Sequence, residues 1–247
     1  METFDDVLKP SGRPDGAKVE RLFHRIASRY DITNRFLTLG IDLWWRSQLV
    51  SAVQHCYPQT VVDLATGSGD VAFALRRRLG KAVTITGIDF CQSLLDCAIQ
   101  RKGKRADYES IQFTWGDCLD LPLSNESADA ITIAFGFRNL ADRNKGLQEI
   151  LRVLRKPHGR LLILEFTQPV AWLRPLYYAY LHYGLPAIAG VITGAPSAYR
   201  YLTSSIKNFP DKQSLANEIK SAGFVSVDIK SFSGGLVALH TATVSET

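Results

Sequence analysis

The sequence has little cysteine, no long uninterrupted hydrophobic run and no low-complexity tract, and each shortage excludes a class of protein. Its four cysteines among 247 residues have spacings typical neither of a zinc site nor of a disulfide framework, so we expect no metal and a reducing cytoplasm. The most apolar stretch, residues 176–195, contains His182, Pro186 and three glycines, which argues against a membrane-spanning helix. The opening METFDDVLKP is acidic, unlike a secretory signal or a transit peptide.

An excess of acidic residues is also missing, since the formal net charge is +5. Such a charge permits attraction to nucleic acid or to an anionic membrane. The basic clusters, however, fall where helical patterns end, at 76–78, 101–105 and 152–156. Cations at these places offset the negative pole of the helix dipole, so the charge is explained without a polyanionic partner.

What is present is a regular alternation of apolar runs and helical patterns from residue 60 onward. Runs rich in Val, Ile, Thr and Phe predict strands at VVDL (61–64), VTITGID (83–89), IQFTWGD (111–117), ADAITIAFGF (128–137) and RLLILEF (160–166). Amphipathic helical segments separate them, and this alternation is typical of a parallel sheet covered on both faces.

The end of the chain departs from that alternation. A helix is predicted from about Asp211 to Gly223, followed by strands at 225–232 and 236–244 joined by the short turn Ser233–Gly235. Strands joined by so short a turn must pair antiparallel. The sequence thus predicts an α/β fold with a seven-stranded, mostly parallel sheet and an antiparallel last strand. This is the Rossmann-like architecture of class I S-adenosylmethionine-dependent methyltransferases.

We expect a single domain over residues 1–247. An amphipathic helix is predicted within residues 17–55, before the first strand. The predicted parts are an N-terminal helical lid (1–57), a cofactor-binding core (58–166), an aromatic insertion facing substrate or membrane (167–210), and a C-terminal helix and hairpin (211–247).

The loop DLATGSGDVA, residues 63–72, combines glycines with acidic residues. GSGDVA satisfies a loose dinucleotide pattern, and Asp89 lies where a ribose-binding carboxylate belongs. Asp70, however, starts the helix whose N-terminus would hold a pyrophosphate, and like charges repel. A ligand that carries a sulfonium and an ammonium and lacks phosphate suits the acids better. Asp89 would then accept from a ribose hydroxyl and Asp117 from an adenine amino group.

Longer motifs make a family recognisable over nearly the whole chain, from about Gly16 to His240. The chain resembles the ubiquinone/menaquinone biosynthesis C-methyltransferase family in residues 23–46, 61–70, 134–166, 199–211 and 222–240. The resemblance implies methyl transfer from S-adenosyl-L-methionine to a ring carbon of a lipid-soluble, polyprenylated quinol. We favour demethylmenaquinol, with the methoxy-benzoquinol of the ubiquinone branch as the alternative.

The resemblance also implies the cofactor contacts. Carried over by position, they and the adjoining glycine loop comprise Asp63, Gly67, Ser68, Gly69, Asp89, Asp117, Cys118 and Ala134. Ser68 stands where the family often has Thr, which keeps the hydroxyl. Ala134 stands where the family often has Ser, so only a backbone contact is left there.

Arg138, Asn139 and Tyr30 are the candidate catalytic residues. Ring methylation needs electron density on the carbon, which ionisation of the adjacent hydroxyl supplies. Arg138, just past the fourth strand, would lower the pKa of that hydroxyl and stabilise the oxyanion while water takes the proton. Tyr30 would contact substrate or cofactor from the lid, and Tyr199 and Tyr201 would contact the quinol.

Partners follow from the substrate's prenyl tail. We expect peripheral contact with the inner face of a membrane by a cytoplasmic protein, no nucleic-acid partner, and compatibility with a homodimer. A nucleic-acid methyltransferase is a rival hypothesis, although Phe135–Arg138 replaces the Asp/Asn-Pro-Pro-aromatic run of many base methyltransferases. A nicotinamide-dependent reductase and a non-catalytic partner of the same fold also stay open at this point.

Overall fold

The computed structural model describes residues 18, 19, 21, 24, 35, 38, 40–184 and 196–245, apart from the side chains of residues 182 and 196–200. Within these residues the helices are α1 (Ile41–Gln54), α2 (Asp70–Leu79), α3 (Gln92–Lys102), α4 (Arg143–Val153), α5 (Arg174–Ala179), α6 (Pro196–Lys207) and α7 (Lys212–Ser221). A π-helical turn, Tyr180–Gly184, continues α5.

Seven strands form one sheet in the order β3-β2-β1-β4-β5-β7-β6. The strands are β1 (Thr60–Leu64), β2 (Thr84–Asp89), β3 (Gln112–Trp115), β4 (Ala130–Ala134), β5 (Arg160–Phe166), β6 (Ser226–Phe232) and β7 (Val237–Thr243). β1 to β5 pair parallel, and β7 runs antiparallel to both β5 and β6. The predicted sheet with an antiparallel last strand is therefore confirmed.

The core lies on both faces of the sheet, as parallel strands require. In β5, Leu161 and Ile163 belong to the apolar cluster that includes α4 and α7. Leu162 and Leu164, which point the other way, belong to the cluster that includes α1 and α2. All four side chains are fully buried, which explains why this strand is a nearly continuous hydrophobic run.

The fourth strand ends earlier than the sequence predicts. The expected strand over 128–137 is wrong at its end, because β4 stops at Ala134 and a 3-10 turn follows at Phe137–Asn139. Phe135 has a left-handed backbone with φ 59°, which no strand residue can adopt. The next position has to be glycine, because a Cβ at Gly136 would lie 2.4 Å from the Cβ of Ala65. The loops after β1 and β4 are thereby held against each other.

The amino-terminal lid can be compared with the prediction only in part. Of the helix expected within 17–55, the structure describes α1 and a few earlier residues, and Tyr30 lies outside the described residues. None of the helices that the structure describes has the length and apolar character needed to cross a lipid bilayer.

Candidate active site

Two adjoining cavities open where the parallel strands end. The first, of about 130 Å³, is lined by the glycine loop after β1 and by residues at or after the ends of β2, β3 and β4. The second, of about 220 Å³, is mostly apolar and lies between α1, the segment at 177–181 and α6. Arg46 and Phe135 line both cavities. The end of a parallel sheet is where this kind of fold binds its ligands.

Most of the residues predicted to contact the cofactor come together in the first cavity. Those that line it are Asp63, Gly67, Ser68, Asp89, Asp117, Cys118 and Ala134. Gly69 instead precedes α2 with a φ of 86°, and a Cβ there would lie 2.8 Å from Phe73 and 2.9 Å from Phe113. Only glycine fits this position, because a side chain would be strained and would collide with both rings.

Asp63 lies at the bottom of the first cavity and is almost completely buried. Thr66 donates to its Oδ2 over 2.6 Å and Thr132 to its Oδ1 over 2.7 Å. Burial raises the pKa of Asp63 to about 6, although both hydroxyls and Arg46 act in the opposite direction. At neutral pH the group is thus mostly ionised, and it is rigidly held by strand β4 and the loop.

Asp89, the last residue of β2, connects the glycine loop to the next helix. Its Oδ2 accepts from the backbone of Gly67 over 2.7 Å and its Oδ1 from that of Cys91 over 2.8 Å. Burial raises the pKa of Asp89 to about 6 as well.

Cys118 and Asp117 follow β3 and line the same cavity. Burial, Asp89 and Asp117 together raise the pKa of the Cys118 thiol to about 12, so the thiol stays neutral. Asp117 is exposed, and its Oδ1 accepts from Leu119 N over 2.9 Å.

Asp70 has arginine neighbours that the sequence did not predict. Arg101 Nη2 lies 2.7 Å from its Oδ1, Arg35 3.3 Å and Arg46 3.9 Å from its Oδ2. Burial alone would raise the pKa of Asp70, but Arg46, Arg101 and Arg35 bring it below its ordinary value. Asp70 is therefore charge-compensated and does not repel an anion in the way expected from the sequence. The acidity of the cavity comes from Asp63, Asp89 and Asp117.

Arg46 and Arg101 are functional candidates that the sequence reasoning missed. Arg46 also pairs with Asp42, one helical turn earlier, and its guanidinium lies 5.3 Å from the centre of the Phe135 ring. Arg101 donates to Ser68 Oγ over 3.1 Å, so it fixes the glycine loop. The i, i+4 spacing of Asp42 and Arg46 was a signal for their pairing, whereas nothing in the sequence connects Arg101 with Ser68.

Arg138 lies on the wall of the second cavity rather than the first. It is 6 % exposed, and its Nη1 lies 2.6 Å from Oε1 of Glu165, near the end of β5. Oε2 of Glu165 accepts from the backbone N–H of Arg138 over 3.2 Å. Glu165 was not singled out from the sequence, although a lone acid in the apolar run RLLILEF was a usable signal.

Asn139 and Tyr201 are joined by a hydrogen bond. Asn139 lines the first cavity, and its Oδ1 accepts from the Tyr201 hydroxyl over 3.0 Å. Tyr201, on α6, is buried, so the aromatic insertion is connected to the loop after β4. Tyr199 belongs to the same helix, but its side chain lies outside what the structure describes.

Comparison with known proteins shows the family to which the chain belongs. The model of the ubiE/COQ5 methyltransferase family matches residues 13–244. A demethylmenaquinone methyltransferase of Deinococcus radiodurans is 42% identical, over 85% of this chain and 86% of that protein. A protein of Geotalea daltonii named ubiquinone/menaquinone biosynthesis C-methyltransferase UbiE is 37% identical, over 92% of this chain and 96% of that protein.

The fold comparison gives the same class. A solved structure of a SAM-dependent methyltransferase from Thermotoga maritima matches with a TM-score of 0.63 at 18% identity, over 90% of this chain and 98% of that chain. The predicted fold class and the methyltransferase interpretation are confirmed. This chain is an enzyme of the ubiE/COQ5 methyltransferase family.

Proposed function

We propose that this protein transfers a methyl group to a ring carbon of demethylmenaquinol and so forms menaquinol. The observation that carries the proposal is the arrangement of the two cavities, one acidic and one apolar, which share Arg46 and Phe135. A polar donor and a prenylated aromatic acceptor need two such compartments with a common wall, so that donor and ring carbon meet. The curated relatives named demethylmenaquinone methyltransferase support the choice of acceptor.

The methyl donor is S-adenosyl-L-methionine, and the residues of the first cavity fit it. This donor supplies an electrophilic methyl group on a sulfonium. Asp89 has carboxylate oxygens for ribose hydroxyls, Asp117 for the adenine amino group, and Asp63 for the ammonium. Cys118, neutral and buried, suits the flat face of a base, and Ala134 leaves room for backbone contact. Arg46, which lines this cavity and pairs with Asp70, lies where the carboxylate end of such a ligand would find a cation.

Arg138 is proposed to stabilise the quinol oxygen that becomes an anion. Its position on the apolar cavity wall strengthens any interaction with developing negative charge, because the surroundings are drier than water. Glu165 orients the guanidinium. Asn139, on the first cavity, is proposed to lie between donor and acceptor, supported by Tyr201. The roles of Tyr30 and Tyr199, and the division into lid, core, insertion and C-terminal hairpin, stay predictions.

Membrane contact is proposed through the amino-terminal part of the insertion. Trp172, Leu176 and Tyr183 are 79%, 69% and 73% exposed, while Tyr177 and Tyr180 of the same segment line the apolar cavity. This segment therefore joins the cavity to an exposed apolar surface, as a substrate whose tail stays in lipid requires. We propose that the protein works at the inner face of the membrane; a homodimer stays a prediction.

Flotation with liposomes tests the membrane contact. Wild-type protein should float with vesicles that contain anionic lipid, and the Trp172→Ala/Leu176→Ala variant should float much less. Trp115→Ala is the matched control, because Trp115 is a 57% exposed tryptophan on the edge strand β3, outside the insertion. Equal flotation of all three proteins would count against this surface.

An anaerobic assay with chemically reduced acceptors tests the reaction. Purified protein, S-adenosyl-L-methionine and a prenylated demethylnaphthoquinol should give a product heavier by one methylene, identified by mass spectrometry. The UbiE-named relatives favour including the methoxy-benzoquinol of the ubiquinone branch as a second acceptor. Faster methylation of the benzoquinol would show that the benzoquinol, and not demethylmenaquinol, is the preferred acceptor. No methylation of either quinol would refute the proposed function.

A further inference from the structure

Tyr177 lines the apolar cavity and carries a buried hydroxyl group without an assigned use. The residue lies on α5 and lines the cavity together with Arg138, Phe166 and Tyr180. Its hydroxyl oxygen is shielded from solvent and has no hydrogen-bond partner among the residues that the structure describes. A buried donor without a partner costs free energy in the folded state, so an occupant of the cavity is the natural partner.

Charges near the hydroxyl indicate which kind of occupant. Burial raises the pKa of Tyr177, and Arg138 acts in the opposite direction, so the hydroxyl stays protonated and is able to donate a hydrogen bond to an anion. The other charged or titratable groups that act on it or line the same cavity are Glu165, Tyr178, Tyr180, Asp42 and Arg46. Glu165 is already bound by Arg138 Nη1 and by two backbone N–H groups.

We propose that Tyr177 is a second donor to the quinol oxygen that Arg138 stabilises, so that the two groups form an oxyanion-binding subsite for an aryl hydroxyl in the apolar cavity. This inference rests on the proposed function. A neutral donor and a guanidinium that converge on one oxygen bind the aryloxide more strongly than the neutral aryl alcohol. The pKa of the bound hydroxyl falls as a result, and the adjacent ring carbon becomes more nucleophilic at neutral pH.

The variant Tyr177→Phe isolates the hydroxyl, because the ring and its packing stay. Since the hydroxyl has no partner among the described residues, its removal should leave the melting temperature of the ligand-free protein unchanged or slightly higher. The turnover number should fall about tenfold, and the rise of turnover with pH should move by about one unit to higher pH. Tyr178→Phe is the matched control on the neighbouring residue, whose hydroxyl donates to Gln168 instead.

Titration of bound 1-naphthol tests the subsite without catalysis. Its ultraviolet absorption changes on ionisation, so the pKa of the bound molecule can be measured with saturating protein and S-adenosylhomocysteine. Wild-type protein and Tyr178→Phe should lower that pKa equally, and Tyr177→Phe should lower it by about one unit less. An equal lowering in Tyr177→Phe would overturn this inference alone. An unchanged pKa of 1-naphthol with wild-type protein would contradict the oxyanion role of Arg138 and this inference together, whereas the methylation assay judges the proposed function separately.

Discussion

Arg138 and Glu165 form an ion pair that is buried on both sides, with Nη1 and Oε1 2.6 Å apart and side chains 4% and 1% exposed. Arg138 lies in the turn after β4, and Glu165 lies near the end of the neighbouring strand, β5. The pair therefore fixes the loop that carries Asn139 to the centre of the sheet. It also places a permanent cation at the edge of an apolar cavity.

Substitution of Arg138 should affect both stability and turnover. Arg138→Ala leaves Glu165 buried and uncompensated, so we expect a loss of about 3–5 kcal/mol in the free energy of unfolding. Turnover should fall by orders of magnitude, while the affinity for S-adenosylhomocysteine, measured by calorimetry, stays within a few-fold.

The double variant Arg138→Met/Glu165→Leu separates the two effects. It removes both charges, so it should regain most of the stability without regaining turnover. Arg143→Ala, which breaks the half-exposed pair of Arg143 with Glu218, is the control for the loss of an arginine. Near-normal turnover in a folded Arg138→Ala protein would remove the proposed role.

The raised pKa values of Asp63 and Asp89 predict how stability depends on pH. Each group has a pKa of about 6 in the folded protein and an ordinary value of 3.8. The stabilising contribution is therefore complete below about pH 4 and is lost as the pH rises through about 6, by roughly 3 kcal/mol for each group. Urea unfolding of the ligand-free protein should accordingly show lower stability at pH 8 than at pH 5.

Asp89→Asn should reduce that difference between pH 5 and pH 8, because the amide does not titrate. Asp211 is the control: backbone hydrogen bonds at the start of α7 hold its pKa below the ordinary value, so Asp211→Asn should leave the difference unchanged. A wild-type protein equally stable at both pH values would contradict the explanation.

Gly69→Ala should weaken donor binding through contact and not only through backbone strain. The new Cβ would lie 2.8 Å from Phe73 and 2.9 Å from Phe113, so the glycine loop has to move. Gly40 has the same left-handed backbone, with φ 77° and ψ 0°, but a Cβ there would meet no atom within 4 Å, so Gly40→Ala measures the strain alone. We expect Gly69→Ala to lose at least tenfold more affinity for S-adenosylhomocysteine than Gly40→Ala, measured by calorimetry.

Tyr201→Phe should uncouple the insertion from the first cavity. Loss of the bond to Asn139 costs about 1 kcal/mol of stability and leaves the amide free to turn. Tyr108→Phe is the control, since its buried hydroxyl bonds Arg77 and lines neither cavity. Similar melting temperatures for the two variants, with lower turnover only in Tyr201→Phe, are the expected result. Equal turnover would show that the Tyr201 bond is structural.

The sequence was sufficient for features that depend on local pattern. β5 was predicted at its observed bounds, because a buried strand must be apolar at every position. The convergence of Asp63, Asp89 and Asp117 followed from parallel strands that end at one edge. The end of β4 was not predictable in this way, because Phe135 adopts a backbone conformation that its residue type disfavours.

The charge networks required the tertiary structure. Asp70 looked like an isolated acid at a helix start, and only the structure brings Arg101 and Arg46 to it. The sequence did not predict that Arg138 is buried, because its burial depends on pairing with Glu165, 27 positions away. Long basic side chains reach many partners, so their pairing follows from the packing of helices rather than from spacing.

The hairpin turn also forms part of the active-site region. Trp45 Nε1 donates to Ser233 Oγ over 3.0 Å, and Ser233 and Leu236 line the apolar cavity beside α1. Segments far apart in the sequence thus enclose the cavity proposed for the acceptor. A chimera that borrows its first helices from a relative with a different quinone has to borrow the final hairpin too, because recombination at a single crossover would combine two halves of unlike acceptor sites.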